Sequence, residues 1–197
     1  NFSVGLDSPN GLAFDGSDKL FATSSFGKLI NKFDSNGVSS TFVTGLVSPY
    51  NKGLAFDASG NLYVAESLTG EIKKITPQGG VSSFATGLSN PQGLAFDSFG
   101  NLYVANSSGD SVSKITPSRV VSTPFTTGFD GPAGLAFDAA GNLYVSNFNG
   151  DTISKLVGVA PPATPVPTLS KWALMALGLL LGGVAVAGLA RRGQSFA

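Results

Sequence analysis

Gly53–Ala65 reads GLAFDASGNLYVA, and variants of it return as GLAFDGSDKLFAT at Gly11–Thr23, GLAFDSFGNLYVA at Gly93–Ala105 and GLAFDAAGNLYVS at Gly134–Ser146. The opening glycines are separated by 42, 40 and 41 residues, a period in the range of propeller blades and solenoid turns. Within the copy, Leu54 and Phe56 alternate with Ala55, and Leu62 and Val64 alternate with Tyr63 and Ala65. That period of two in short, β-favouring runs predicts two strands. Between them Asp57-Ala-Ser-Gly60-Asn61 reads as a turn, in which Asp57 bonds its own downstream backbone and Gly60 takes a positive φ without steric cost. The first copy carries Asp18 at the glycine position, and Asp tolerates the left-handed region better than most residues.

A third run follows at a fixed offset: Ile30–Phe33, Ile72–Ile75, Val112–Ile115 and Ile153–Leu156, each with a lysine at its third position. A fourth, GVSSTFVTG at Gly37–Gly45, returns as GVSSFATG at Gly80–Gly87 and in looser form as VVSTPFTTG at Val120–Gly128. Four strands per period predict an all-β fold, a β-propeller of four-stranded blades. The repeat region spans 1–157, with blades over about 11–52, 53–92, 93–133 and 134–157 plus 1–10. The last copy supplies three strands, while Phe2-Ser3-Val4-Gly5-Leu6 aligns with Phe42-Val43-Thr44-Gly45-Leu46 of a fourth strand. Two arrangements follow: a closed ring of four blades, or a fragment of a larger propeller, the latter slightly favoured.

Composition narrows the chemistry. The sequence has 12 Lys and Arg against 12 Asp and Glu, and all the acids precede residue 157 while Lys171, Arg191 and Arg192 follow it. The repeat region is therefore net acidic, without an electrostatic footprint for nucleic acid. The absence of cysteine and histidine excludes disulfides, thiolate catalysis, Ser-His-Asp triads and imidazole metal sites.

Strand alternation brings the end of each second strand and the start of each first strand to one rim. Ser24, Glu66, Asn106 and Asn147 meet there, with Asn10, Tyr50, Asn51, Asn90 and Gln92. Their oxygens suit Ca²⁺ or Mg²⁺, but the same side chains commonly cap strand ends and loop backbone. Asp15, Asp57, Asp97 and Asp138 fall on the opposite rim and are assigned to turns. Lys32, Lys74, Lys114 and Lys155 read as solubilising edge charges.

The motif PxGLAFDxxGNLYVA, with the Ile-x-Lys-Ile run and the Phe-x-Thr-Gly strand, resembles NHL-repeat and gluconolactonase-like (senescence-marker-protein-like) propellers over residues 2–157. The resemblance implies a divalent metal on the propeller axis, with Glu66, Asn106 and Asn147 as its ligands. Such folds host binding modules, hydrolases and lyases alike.

Past Val157 the chain changes character. Residues 158–167 hold four prolines in seven positions and read as an extended linker. Residues 168–197 form a tail in which Trp172–Ala190 carries no charge. As one α-helix this stretch is about 28 Å long at ~1.5 Å per residue, matching a bilayer core. Arg191 and Arg192 place the short end in the cytoplasm and the propeller in the periplasm or outside. Val166-Pro167-Thr168-Leu169-Ser170-Lys171-Trp172, the apolar segment and Arg191-Arg192 together resemble the IPTL-CTERM class of bacterial C-terminal sorting signals, with Val166 in place of the leading Ile. That resemblance implies an exported protein of the bacterial cell envelope and a sorting protease as partner.

Two functions from different classes follow. The first is an exported, membrane-anchored or surface-sorted propeller that binds a polysaccharide or protein without catalysis and requires no cofactor. The second is a Ca²⁺- or Mg²⁺-dependent, gluconolactonase-like hydrolase with its site on the Glu66 rim.

Overall fold

The computed structural model describes residues 6–24, 26–47 and 51–161. Among the described residues fifteen strands fall into four antiparallel sheets, each in sequence order. The first blade is β1 Pro9–Phe14, β2 Leu20–Ser24, β3 Leu29–Phe33 and β4 Ser39–Val43. The second is β5 Asn51–Phe56, β6 Leu62–Glu66, β7 Glu71–Ile75 and β8 Val81–Ala85. The third is β9 Pro91–Phe96, β10 Leu102–Asn106, β11 Ser111–Ile115 and β12 Val121–Thr127. The fourth has three strands, β13 Pro132–Phe137, β14 Leu143–Asn147 and β15 Thr152–Leu156. The architecture is thus an all-β, four-blade propeller, as the repeat predicts.

Each turn between the first two strands of a blade is closed by its aspartate. Asp57 Oδ1 accepts from the Ser59 and Asn61 N–H groups at 2.9 Å each, and the Asp57 N–H donates to the Asn61 carbonyl. Asp15, Asp97 and Asp138 repeat the pattern. In blades two and four the Tyr63 and Tyr144 hydroxyls donate to the same carboxylates at 3.2 Å.

The inner strands β1, β5, β9 and β13 pack successively, β1 on β5, β5 on β9 and β9 on β13. At two of these joints the glycine that opens the repeat faces the neighbouring backbone. A Cβ at Gly53 would collide with the Gln92 carbonyl and one at Gly93 with the Ala133 carbonyl. Glycine, otherwise poor in a strand, stands where two backbones approach closely. The same position is a bulge in the pairing with the second strand. In blades one and four the freed N–H of Gly11 or Gly134 donates at 2.8 Å to Thr23 Oγ1 or Ser146 Oγ.

Between blades the core is built from a recurring aromatic trio. Phe21 lies edge-on to Phe42 and to Phe56 of the next blade, each at 5.0 Å. Tyr63 does the same with Phe84 at 4.8 Å and Phe96 at 5.0 Å, and Tyr103 with Phe125 at 5.5 Å and Phe137 at 5.0 Å. The repeat lysines are not merely edge charges. Lys32, Lys74, Lys114 and Lys155 place their ammonium groups 5.7, 5.6, 5.3 and 5.2 Å from the ring centres of Phe21, Tyr63, Tyr103 and Tyr144, as cation–π pairs.

The first residues of the stretch 158–167 lie on the propeller. The Ala160 N–H donates to the Gly141 carbonyl at 3.0 Å, the Gly158 N–H to Asn142 Oδ1 at 3.1 Å, and Ser98 Oγ to the Pro161 carbonyl at 3.3 Å. The N-terminal segment 1–5, expected to complete a blade, and the apolar segment 172–190 lie outside the described residues. Among the described residues no helix is long and apolar enough to cross a membrane.

Candidate functional site

The inner strands surround a cavity of about 420 Å³ lined by Asn10, Gly11 and Leu12 of β1, Gly53 and Leu54 of β5, Gln92, Gly93 and Leu94 of β9, and Ala133, Gly134 and Leu135 of β13. Glycine at four equivalent positions leaves backbone amides at its wall, and leucine supplies apolar surface beside them. Among the described residues that line it, Asn10 and Gln92 are the polar side chains and none is titratable. Gln92 is buried and oriented: its Nε2 donates to Asn90 Oδ1 at 3.0 Å, and Asn90 Nδ2 donates to Ser108 Oγ at 3.2 Å. These residues offer uncharged hydrogen-bonding groups in fixed positions beside apolar surface.

The rim inferred from strand direction is present in the register, where Ser24, Glu66, Asn106 and Asn147 stand opposite Pro9, Asn51, Pro91 and Pro132. None of the four lines the axial cavity. All are buried, each held by bonds of its own. Glu66 Oε1 accepts from the Val47 N–H at 2.7 Å, and Oε2 accepts from Thr69 Oγ1 at 3.4 Å. Ser24 Oγ accepts from the Asp7 N–H at 2.9 Å, the equivalent loop position in the first blade. In both blades the side chain ties down the loop that leads into the inner strand.

Asn106 and Asn147 direct their amide nitrogens into their own sheets instead. Asn106 Nδ2 donates to Ser113 Oγ at 2.7 Å, and Asn147 Nδ2 to Thr152 Oγ1 and Ser154 Oγ at 2.9 Å each. Their Oδ1 atoms are buried and accept no hydrogen bond. Among the described residues no group of three or more acidic side chains gathers to hold a metal ion. Tyr50 lies outside the described residues.

Sequence reasoning named Asn10 and Gln92 but missed the leucines and the backbone wall between them. The available signal was glycine at one fixed place in four strands, which marks close backbone approach.

Comparison with known proteins locates an IPTL-CTERM motif at residues 164–192, which contain Val166, Pro167, Thr168, Leu169, Ser170, Trp172, Arg191 and Arg192. No curated protein matches the chain. Among solved structures, a streptogramin B lyase is similar with a TM-score of 0.69 at 18% identity, over 84% of this chain and 57% of that one. A gluconolactonase from Xanthomonas campestris is similar with a TM-score of 0.71 at 17% identity, over 80% and 60%. A chain of a nidogen/laminin complex is similar with a TM-score of 0.64 at 20% identity, over 77% and 60%. The chain spans less than two thirds of each of these, and likeness at such identity establishes the fold alone. What this chain carries is thus a four-blade unit of the gluconolactonase- and lyase-like propeller fold followed by an IPTL-CTERM motif, a bacterial C-terminal sorting signal that implies an envelope or cell-surface address.

Proposed function

We propose that the chain is an exported propeller, displayed at the bacterial envelope, that acts as a non-catalytic binding module. The observation that carries this reading is the axial cavity, whose described wall is glycine backbone, leucine, Asn10 and Gln92, with no titratable side chain among those residues. A neutral, hydroxyl-rich ligand, the end or a bend of a polysaccharide, matches that mixture of amide donors and apolar surface. The Staphylococcus aureus virginiamycin B lyase was solved as a catalytically inactive variant with one histidine replaced by alanine; this sequence contains no histidine. In this reading residues 172–190 anchor the chain as a single membrane span, with the propeller outside, Arg191 and Arg192 in the cytoplasm, and a sorting protease acting near Val166–Ser170.

The test is calorimetric titration of the full-length protein with purified neutral envelope polysaccharides. Saturable binding is expected, weakened about tenfold or more, roughly 1.4 kcal/mol, by Gln92→Ala. Metal-dependent turnover of a lactone would overturn the reading.

A second reading, a Ca²⁺- or Mg²⁺-dependent lactonase, is favoured by one observation: Asn106 Oδ1 and Asn147 Oδ1 are buried acceptors without a donor. Amide oxygens of this kind suit a hard cation, and Glu66 would add charge while keeping its loop contacts. The cation would supply polarisation of a lactone carbonyl. A rise in melting temperature at millimolar Ca²⁺, lost in Asn106→Ala, is what this reading requires.

A further inference from the structure

We propose that the turn rim holds a second ligand site, at the joint of blades two and three, which takes the carboxylate of an acidic sugar unit, a hexuronate. The inference is independent of what the axial cavity binds. It starts from a pocket of about 370 Å³ lined by Asp57, Asn61, Lys74 and Phe84 of blade two and by Pro117 and Arg119 of blade three. That volume falls within the range of small-molecule sites, about 300–1,000 Å³.

Inside, the three joints repeat one another: Leu54 packs in one cluster with Ile30, Leu94 with Ile72, and Leu135 with Val112. At the turn rim they differ. The turn between the third and fourth strands has a left-handed residue, which is Gly37 in blade one, Gly79 in blade two and Arg119 in blade three, with φ of 81°, 85° and 65°. A Cβ on Gly79 would stand 3.5 Å from the Phe42 carbonyl of blade one. From the equivalent place Arg119 carries its guanidinium onto Phe84 of blade two, 5.6 Å from the ring centre. At the joint of blades three and four, Ala160 and Pro161 stand beside Gly141, as Pro117 stands beside Gly100 one joint earlier. Among the described joints, that of blades two and three is the one to which this turn brings a cation.

The backbone fixes that cation. The Arg119 N–H donates to the Thr116 carbonyl at 2.9 Å, the Thr116 N–H to the Val120 carbonyl at 3.0 Å, and the Val120 N–H to Thr116 Oγ1 at 3.1 Å. A left-handed backbone is uncommon for residues other than glycine, and such positions gather at ligand sites. Among the described residues Arg119 makes no ion pair. The second cation, Lys74, lies over the Tyr63 ring with its Nζ 3.9 Å from Asp57 Oδ2. At neutral pH, lysine, arginine and aspartate are all ionised, so the wall carries two positive charges against one negative.

One carboxylate completes that balance. A guanidinium presents a planar fork that meets a carboxylate through two parallel hydrogen bonds, and the Phe84 face orients Arg119 without using an acceptor. A phosphate monoester, which carries about −1.5 to −2 at pH 7, would leave the wall with excess negative charge. The body that carries the carboxylate is specified by the rest of the wall. Ser59 and Asn61 add uncharged polar groups, and Phe96 and Pro117 add apolar surface. Hydroxyls and a C–H face on one ring match that mixture, which is the chemistry of a hexuronate.

The test is calorimetric titration of the full-length protein, in detergent and at fixed ionic strength, with sodium glucuronate. Saturable binding in the millimolar range or tighter is expected. Arg119→Gly restores the residue that the equivalent turns of blades one and two carry, so circular dichroism should be unchanged while affinity falls about tenfold or more. Arg119→Lys, which keeps the charge and loses the fork, should also bind more weakly than the wild type. Gln92→Ala, at the axial cavity, should bind glucuronate as the wild type does, and acetate, a carboxylate without the ring, should bind about tenfold more weakly than glucuronate. Absence of saturable glucuronate binding, an affinity unchanged in Arg119→Gly, dependence on Gln92, or acetate bound as tightly as glucuronate overturns the proposal.

Discussion

Asp57 and Asp138 tie turn geometry to pH. Burial pushes the Asp57 carboxyl up, but hydrogen bonds from the Asn61 side chain and backbone, the Tyr63 hydroxyl and the Ser59 backbone outweigh it and hold the group below its ordinary value. The Asn142 side chain and backbone do the same for Asp138. A carboxyl depressed on folding binds its proton more tightly in the unfolded chain. Its contribution is therefore present above pH ~4 and is lost as pH falls through the lowered native value. Asp57→Asn keeps one oxygen for the turn but loses the charged acceptor of the Asn61 amide and the Tyr63 hydroxyl, so thermal melts should show a lower melting temperature at pH 7 and a shallower loss of stability between about pH 4 and 2. Glu66 offers a different check. Removing its buried carboxylate takes away the acceptor of the part-buried Val47 N–H and of the Thr69 hydroxyl, so Glu66→Ala should lower stability by about 1–2 kcal/mol in urea titrations. Polysaccharide binding at the axis should persist in that variant.

At the level of the strand, the inner-strand glycines make the sharpest claim. Gly93→Val places a side chain against the Ala133 carbonyl, a backbone obstacle that cannot rotate away. Its expected cost is about 1–3 kcal/mol or more. Gly16→Ala meets nothing within 4 Å and should leave the urea midpoint unchanged. Strands and turns were legible because their causes are local: alternation sets Leu62, Val64 and their neighbours, and Asp57 finds the backbone donors of its turn within four residues. The stacking of Lys74 on Tyr63 is cross-strand, since the two face each other in the register, and charge alone gave no hint of it. The cavity was not legible because its wall comes from four strands about 40 residues apart. Whether an asparagine at a rim binds loop backbone, as Glu66 does, or its own sheet, as Asn106 does, depends on the orientation of one torsion, which sequence pattern does not encode.

Across the whole chain, fold and address are carried by different segments. Residues 9–157 specify blades, and residues 164–192 match the sorting motif. Fusing residues 159–197 to an exported soluble reporter should move it into the membrane fraction, and a reporter that stays soluble with its tail intact would show that the segment carries no such address. The junction at Gly158–Pro161 is bonded to the turns of blades three and four, so these residues lie on the turn rim, opposite the rim of Glu66 and Gln92.

The uniform joints have a consequence for how such a chain changes over generations. Every joint uses the same leucine, aliphatic and aromatic positions, and the amino-acid stretches that specify them are close variants of one another. Slipped recombination between two copies would insert or remove about 40 residues in frame, a whole number of repeats. The product gains or loses one joint of the same kind as those already present. Blade number is thus a quantity that heredity can alter in single steps without inventing a new contact, while the tail and its destination pass unchanged.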